Sequence, residues 1–393
     1  MTEKEMTEEM KEAAEVFCMI CAVAEGRRVE EPEPQADWRK IYQIGKRHSV
    51  EQLLACAAEQ LVSAREEQLI WEKLQKDKFS GIMREAIQYQ AYEKIARTFE
   101  EEGIDMIPLK GSILKFYYPS PALRFLTDLD LLVKEADLSR AGELLLRLGY
   151  TFLHGGVHHD VYQKEPCITI ELHKDCGTGY PALDRHLEGV WERSRKSLER
   201  EHLYQMAWED FYLYQTAHLA KHFEHGGVGM RMLLDFLVFE NRLSKACSRE
   251  TIETHLEEAG LLAFERRIVH LAKKGGQKEK LVSDPLWCYI IESGSYGIRK
   301  FNLYSEMEKQ KSKRSYYLSR LFPRRKEMEC QYPWLAAHPA FLWAAWMLRI
   351  VQRGWRNPAG IWQEIQAFQN VKERQMLMEI MREAGLEERN ENL

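Results

Sequence analysis

The segment from Leu109 to Val133 constrains the fold of this chain more than any other stretch. An apolar run leads into Gly111 and Ser112, and the segment ends with Asp128-Leu-Asp130 inside a second apolar run. Because side chains alternate between the two faces of a β-strand, both aspartates lie on one face and the leucines and valine around them on the other. The segment therefore predicts a glycine turn followed by a strand with one polar and one buried face.

The paired carboxylates indicate a cation site. Two acids about 6–7 Å apart along a strand need a counter-charge, and a divalent cation that prefers oxygen ligands is the simplest one. Upstream, Gly111 lacks a Cβ, so backbone N–H groups can approach a phosphate, and the start of the following helix favours an anion. Together, the Gly111-Ser112 turn and the aspartates predict metal-assisted nucleotide chemistry.

A third acid lies in the alternating run from Cys167 to His173. Isoleucine and leucine occupy one face of this predicted strand, and Glu171 and His173 share the other. If the strand lies beside the one that carries Asp128, Glu171 joins the two aspartates. The three like charges then repel one another without metal, so we expect neutralisation of Asp130 to leave the metal-free protein as stable or more stable.

A Gly-Ser turn, Asp-x-Asp and a lone acid on a later strand resemble the nucleotidyltransferase superfamily related to DNA polymerase beta. The closest resemblance is to a bacterial family of uncharacterised nucleotidyltransferases, and it covers most of the chain after about residue 80. The matching segments are Lys110-Gly-Ser112, Tyr118-Pro119, Arg124, Asp128–Val133, Gly149-Tyr150, Glu171–His173, His218–His222, Arg231 with Asp235, Leu321-Phe-Pro323 and Tyr332-Pro333.

The resemblance implies transfer of a nucleoside monophosphate from ATP or another NTP to a hydroxyl acceptor, with release of pyrophosphate. Asp128, Asp130 and Glu171 would be the catalytic acids and would bind Mg²⁺ or Mn²⁺, and Glu171 would share the second metal or take the acceptor proton. Gly111 and Ser112 would hold the β- and γ-phosphates. The acceptor stays open among an antibiotic, a sugar, a lipid-linked saccharide, tRNA and a protein hydroxyl.

Three alternatives remain beside this interpretation. A toxin- or kinase-like member of the same fold would keep the same acids and move a different phosphate fragment. A non-catalytic nucleotide sensor or scaffold would usually lose one acid, whereas all three are present here. A manganese-dependent sugar transferase also uses Asp-x-Asp, but it leaves the Gly-Ser turn and Glu171 unexplained.

Two basic residues near the turn are candidate nucleotide ligands. Arg124 lies in an insert between Ser112 and Asp128 that is longer than the superfamily usually carries. The insert is either a surface loop before the strand or a device that directs the guanidinium at the triphosphate, since its fork matches phosphate oxygens. Lys110 lies in the turn itself, and we expect its ammonium to reach the phosphates.

A downstream helix carries a second group of candidates. His218 and His222 are four residues apart on one face, which can bind zinc, but the glutamate of the metalloprotease motif is missing. One histidine could instead cap the core, or Lys221 and His222 could face a cleft and bind nucleotide. Arg231 and Asp235 are spaced as a surface ion pair or as a second pair in the cleft.

The order of helical and strand patterns predicts an α+β fold, with a small mixed β-sheet core flanked by N-terminal and C-terminal helical regions. We expect an N-terminal helical region at 1–103, the nucleotidyltransferase core at 104–190 and a C-terminal helical domain at 191–393. The sheet portion, of about 70 residues, is too small to close its own core. The flanking helices should therefore cover its apolar face and build the opposite wall of a cleft.

Composition narrows the partners and the compartment. A net charge of −5 gives no general attraction to nucleic acid, although the basic stretch 311–326 could bind an anionic acceptor rather than form a solvated edge. No apolar run is long enough to span a membrane, and the acidic start does not resemble a signal peptide. Cys18 and Cys21 lie in an apolar helical stretch, which favours buried thiols in a cytoplasmic protein.

Overall fold

A mixed five-stranded sheet forms the centre of the protein. The computed structural model describes residues 3–166, 168–295, 297, 318, 321–356 and 371–386. The strands, in spatial order β1-β2-β5-β4-β3, are β1 Met106–Pro108, β2 Leu129–Val133, β3 Thr151–Gly155, β4 His159–Lys164 and β5 Ile168–His173. Only the β2–β5 pair of this sheet is parallel. A two-stranded sheet joins β6 Arg195–Lys196 to β7 Tyr204–Gln205.

Helices both precede and follow the sheet along the sequence. The N-terminal helices are α1 Glu3–Glu25, α2 Trp38–Arg47, α3 Glu51–Ala58, α4 Val62–Glu66 and α5 Gln68–Glu101. Short elements within the sheet region are α6 Gly111–Leu114, α7 Leu138–Arg147, α8 Pro181–Leu187 and α9 Val190–Arg193. The later described helices are α10 Trp208–Glu224, α11 Met230–Arg242, α12 Arg249–Glu258, α13 Leu262–Ala272, α14 Lys278–Val282, α15 Pro285–Ser293, α16 Arg325–Gln331, α17 Trp334–Ala337, α18 Leu342–Arg356 and α19 Val371–Glu383.

The apolar face of the sheet packs against α5 and α7. Leu131 of β2 and Ile170 of β5 are fully buried in one cluster with Ile95 of α5 and Leu145 of α7. Full burial of one such aliphatic side chain contributes about 1.5–3 kcal/mol relative to exposure. The prediction that flanking helices cover this face is confirmed, because α5 comes from the N-terminal region.

A second hydrophobic cluster joins the two helical regions. It contains Phe17 of α1, Ile107 of β1, Leu213 of α10 and Trp287 of α15, and the rings of Phe17 and Trp287 lie 5.3 Å apart. The predicted α+β class with helical flanks is confirmed. The boundaries 1–103, 104–190 and 191–393 stay a prediction, and helices from both flanking regions share this cluster.

Single residues in the sequence mark the ends of several helices and strands. Asp37 caps α2, since its side chain accepts a hydrogen bond from the N–H of Arg39 at 2.8 Å. Gly149, after α7, adopts a φ of +85°, the left-handed conformation that glycine favours at a helix end. The predicted strand from 167 is observed from Ile168, and Cys167 lies outside the described residues.

Three sequence expectations concern features away from the sheet. Burial raises the pKa of the Cys18 thiol on α1 to about 12, and Cys21 is buried and free, as expected for structural thiols. Most of the basic stretch 311–326 lies outside the described residues. Among the helices that the structure describes, none is both long and apolar enough to cross a membrane.

Candidate active site

The three predicted acids meet on the polar face of the sheet. Asp130 of β2 lies directly opposite Glu171 of β5 in the parallel register, and Asp128 lies one residue before β2 begins. Burial, followed by the negative charges of Asp130 and Glu171, raises the pKa of Asp128 to about 6. The prediction that Glu171 lies beside the aspartates is therefore confirmed, and the charges of the three acids interact.

Lys110 supplies a counter-charge from within the protein. Its Nζ donates to Oδ1 of Asp130 at 2.7 Å and lies 3.9 Å from Oε2 of Glu171. Burial alone would lower the pKa of Lys110, but Asp130 outweighs it and raises that pKa above the usual value. The expectation of unrelieved repulsion among the acids is thus incorrect for Asp130, because an ammonium already lies beside it.

His173 is the second partner of Asp130. Its Nε2 lies 3.0 Å from Oδ1 of Asp130 and 3.4 Å from Oε2 of Glu171, and the side chain is buried. Burial raises the pKa of Asp130, but Lys110 and His173 outweigh that effect and hold it well below the usual range. Lys110 and His173 therefore both stabilise the carboxylate form of Asp130. The negative charges of Asp130 and Glu171 act against the carboxylate form of Asp128.

His159 brings a further imidazole to the same group. It lies opposite His173 in the antiparallel register of β4 and β5, with ring centroids 4.8 Å apart, and its Nε2 lies 3.9 Å from Oε2 of Glu171. One ligand atom each from His159, Glu171 and His173 lies within 4.8 Å of the others, a spacing that could hold a metal ion. Sequence reasoning missed His159 because the register of β4 was not predicted; the alternation of β5 did place His173 beside Glu171.

The turn before α6 differs in detail from the predicted phosphate loop. The left-handed residue is Lys110, with a φ of +49°, a conformation uncommon for a residue with a Cβ. At Gly111, a Cβ would lie 2.5 Å from Cδ2 of Leu126 and 2.6 Å from Nη1 of Arg124. Ser112 is buried, and its Oγ accepts a hydrogen bond from the N–H of Asp130 at 3.3 Å. Gly111 is thus required by close packing, while Ser112 ties the turn to β2.

Arg124 packs behind the turn and binds Asp235 of α11. Its Nε and Nη2 donate to the two carboxylate oxygens at 3.1 and 2.6 Å, and the Tyr118 hydroxyl donates to Oδ1 at 2.8 Å. The side chain of Arg124 is 9 % exposed, so the surface-loop alternative is wrong for this residue, and its approach to the triphosphate stays a prediction. Asp235 is buried, so the expected surface ion pair with Arg231 is also incorrect; Arg231 donates to the carbonyl of Phe125 at 3.2 Å.

Helix α10 lies beside Lys110 and the acid cluster. Nζ of Lys110 lies 5.9 Å from the ring centroid of Tyr214, and the rings of His218 and His222 lie 4.4 Å apart further along the helix. Burial and the positive charge of Lys110 lower the pKa of His218, so this histidine lies near the acid cluster. The side chains of Lys221 and His222 are exposed at this end of α10.

A cavity of about 460 Å³ begins where the acid cluster ends on the polar face. Leu132 and Lys134, two and four residues after Asp130, line this cavity. Lys174 and Asp175, which directly follow His173, line it as well. Trp191 lines the same cavity, and Nζ of Lys134 lies 5.4 Å from the centroid of its ring. The cavity therefore offers charges of both signs and an aromatic side chain next to the acids.

Comparison with known proteins agrees with this geometry. A family model described as "Uncharacterised nucleotidyltransferase" matches residues 34–275, which include the acid cluster, the turn and α10. Searches of curated proteins and of solved structures returned no match. Since the matched region exceeds half of the 393 residues, the chain belongs to the uncharacterised nucleotidyltransferase family.

Proposed function

We propose that the protein transfers a nucleoside monophosphate from an NTP to a hydroxyl acceptor in a reaction that depends on a divalent metal. The observation that carries the proposal is the register of Asp130 opposite Glu171, with Asp128 one strand period away. The register brings Asp130 and Glu171 together, and the charges of both act on Asp128. The family of the chain supports nucleotidyl transfer at the general level.

The residues present fit Mg²⁺ or Mn²⁺. Carboxylate oxygens are the ligands that both ions accept. Burial, followed by the negative charges of Asp130 and Glu171, raises the pKa of Asp128 to about 6, and a cation would relieve the repulsion between these charges. When bound, the metal would neutralise the triphosphate and activate the attacking oxygen. Asp128 and Asp130 would hold it, and Glu171 would share it.

The other side chains have roles that follow from their positions. Lys110 would exchange its bond with Asp130 for one with the β- or γ-phosphate, and Gly111 and Ser112 would hold these phosphates at the turn. The acceptor oxygen would bond to the α-phosphorus, the bond from that phosphorus to the pyrophosphate oxygen would break, and Glu171 would take the acceptor proton. Lys221 and His222 would contact the nucleotide from α10, while Arg124 would support the turn from behind.

The cavity beside His173 is the proposed place of the acceptor. It lies on the same sheet face as the acids, and its mixed charges and Trp191 suit a polar small molecule with hydroxyl groups. The net charge of −5 gives a nucleic-acid acceptor no general electrostatic support.

The test is incubation with each labelled NTP, Mg²⁺ and a metabolite extract, followed by mass spectrometry. We expect a product heavier by one nucleoside monophosphate, absent with Asp128→Asn and Asp130→Asn. Asp160→Asn is the matched control, because Asp160 lies opposite Leu172 in the sheet register, out of line with the acids.

Three outcomes would contradict the proposal. Near-wild-type turnover by either variant would remove the metal assignment. A product that gains only a phosphate or pyrophosphate fragment would favour the kinase-like alternative. Nucleotide binding without any product, with every extract tried, would favour a sensor or scaffold.

A further inference from the structure

We propose that His159, Glu171 and His173 form a binding site for a transition-metal ion such as Zn²⁺ or Mn²⁺. This site uses Glu171, which the proposed reaction also uses, but neither Asp128 nor Asp130. It goes beyond nucleotidyl transfer, because the ion would bind without a nucleotide or an acceptor.

The distances fit one coordination sphere. Ligand atoms about 2.0–2.2 Å from a common metal ion lie at most about 4.4 Å from one another. Oε2 of Glu171 lies 3.4 Å from Nε2 of His173 and 3.9 Å from Nε2 of His159. The widest separation in the group is 4.8 Å, and His159, whose side chain is 32 % exposed, has room to close it by a small rotation.

The sheet holds the three ligands in place. His159 and His173 face each other across the hydrogen-bonded strands β4 and β5, and Glu171 is two residues before His173 on β5, on the same face. Sites on regular strands keep their geometry better than sites on loops. Only side-chain rotations are therefore needed to bring the ligands around an ion.

Lys110 and His173 both contact Asp130 and Glu171. The ammonium of Lys110 lies 2.7 Å from Oδ1 of Asp130 and 3.9 Å from Oε2 of Glu171, and Nε2 of His173 lies 3.0 and 3.4 Å from the same two oxygens. His173 would exchange its hydrogen bond to Asp130 for the metal and release the Nε2 proton to solvent. Asp130 would keep Lys110 as its counter-charge, so neither buried group would be left unpaired.

The ligand chemistry sets the kind of metal. Imidazole nitrogen suits Zn²⁺ and other transition metals, and the carboxylate of Glu171 also suits Mn²⁺, whereas Mg²⁺ prefers an all-oxygen shell. Two histidines and one carboxylate also leave coordination positions for water. The site should therefore hold Zn²⁺ or Mn²⁺ in the presence of excess Mg²⁺.

The test uses the full chain, stripped of metal by a chelator and titrated with Zn²⁺ without nucleotide. We expect one ion per chain, retained against excess Mg²⁺, with affinity about 100-fold weaker in His159→Ala and in His173→Ala. Co²⁺ should give a visible absorption spectrum of a nitrogen-ligated ion, and both variants should lose it. His158→Ala is the matched control, because this neighbouring imidazole binds Asp175 at 2.7 Å and lines the cavity.

The proposal fails if His159→Ala binds Zn²⁺ as tightly as the wild type, or if an equal concentration of Mg²⁺ displaces the ion. If His173→Ala unfolds, the partly exposed His159 alone decides the result. Failure of the proposed function looks different, since a chain that binds Zn²⁺ at this site but never modifies an acceptor keeps the metal site and loses the transfer reaction.

Discussion

The ammonium of Lys110 lies 2.7 Å from Oδ1 of Asp130, and both side chains are largely buried. The acid cluster therefore contains a cation of its own in the absence of metal. The two aspartates of Asp128-Leu-Asp130 consequently have different electrostatic surroundings. Asp130 is hydrogen-bonded to Lys110 and His173, whereas Asp128 is repelled by the negative charges of Asp130 and Glu171. The sequence alone predicts that neutralisation of Asp130 leaves the metal-free protein as stable or more stable, and the ion pair with Lys110 reverses that expectation.

Asp130→Asn should destabilise the metal-free protein, contrary to the expectation from repulsion alone. Removal of one partner of a buried ion pair leaves an uncompensated charge on Lys110, at a cost of about 3 kcal/mol. Denaturant unfolding at pH 7.5 without metal measures this free energy. Asp128→Asn is the matched control, one strand period away, and should be as stable as the wild type or more so. Equal stability of Asp130→Asn and the wild type would show that the ion pair contributes nothing.

The stability of the metal-free protein should depend on pH through Asp128. Its pKa in the folded state, about 6, is raised above the ordinary value, so folding favours the protonated form. The resulting stabilisation is complete below the unfolded pKa, near 3.9, and is lost as the pH rises through about 6, by an amount of about 3 kcal/mol. Unfolding free energies of the wild type and Asp128→Asn, compared from pH 4.5 to 7.5, should diverge in favour of the variant. Parallel curves would contradict the raised pKa.

Gly111→Ala should destabilise the protein and weaken nucleotide binding. The added Cβ would meet Leu126 and the guanidinium of Arg124, and overpacking of this kind costs about 1–3 kcal/mol. Thermal melting and NTP calorimetry measure the two effects. Gly276→Ala is the control, since a Cβ at Gly276 meets nothing within 4 Å and should leave both quantities unchanged. A stable Gly111→Ala variant with normal affinity would remove the turn from the proposed site.

Arg124 and Asp235 should behave as one energetic unit. Arg124→Met and Asp235→Asn should each lower the melting temperature without nucleotide, and the double variant should lose much less than the sum of the two. A coupling of about 1–3 kcal/mol is typical of residues in direct contact. If Arg124 instead served only the triphosphate, Arg124→Met would melt like the wild type and lose NTP affinity alone.

The parts of the site that were predictable from sequence depend on local periodicity. Alternation placed Asp128 and Asp130 on one strand face and Glu171 on another, and Gly149 marked a helix end. Helix α10 was likewise predicted at 208–224 and observed as Trp208–Glu224. Periodicity depends only on the residues of one segment. It therefore predicts those features of the site that a single helix or strand determines.

The remaining features depend on contacts between distant segments. Nothing local to Arg124 indicates that it binds Asp235 on α11, and nothing local to His159 indicates its place opposite His173. The ion pair of Lys110 could not be predicted from local pattern either, because its partner Asp130 lies in a different segment, on β2. The roles of Ser112, Lys221 and His222 toward a nucleotide stay predictions for the same reason.

The parallel pairing of β2 with β5 has a consequence for how the site comes into being. The chain between these strands contains α7 and the β3–β4 hairpin, and a parallel pair needs such a crossover before its strands can meet. During synthesis, Asp128 and Asp130 emerge well before Glu171 and His173. The nascent protein therefore has two of its three acids for some time, and Glu171 joins them when β5 pairs with β2.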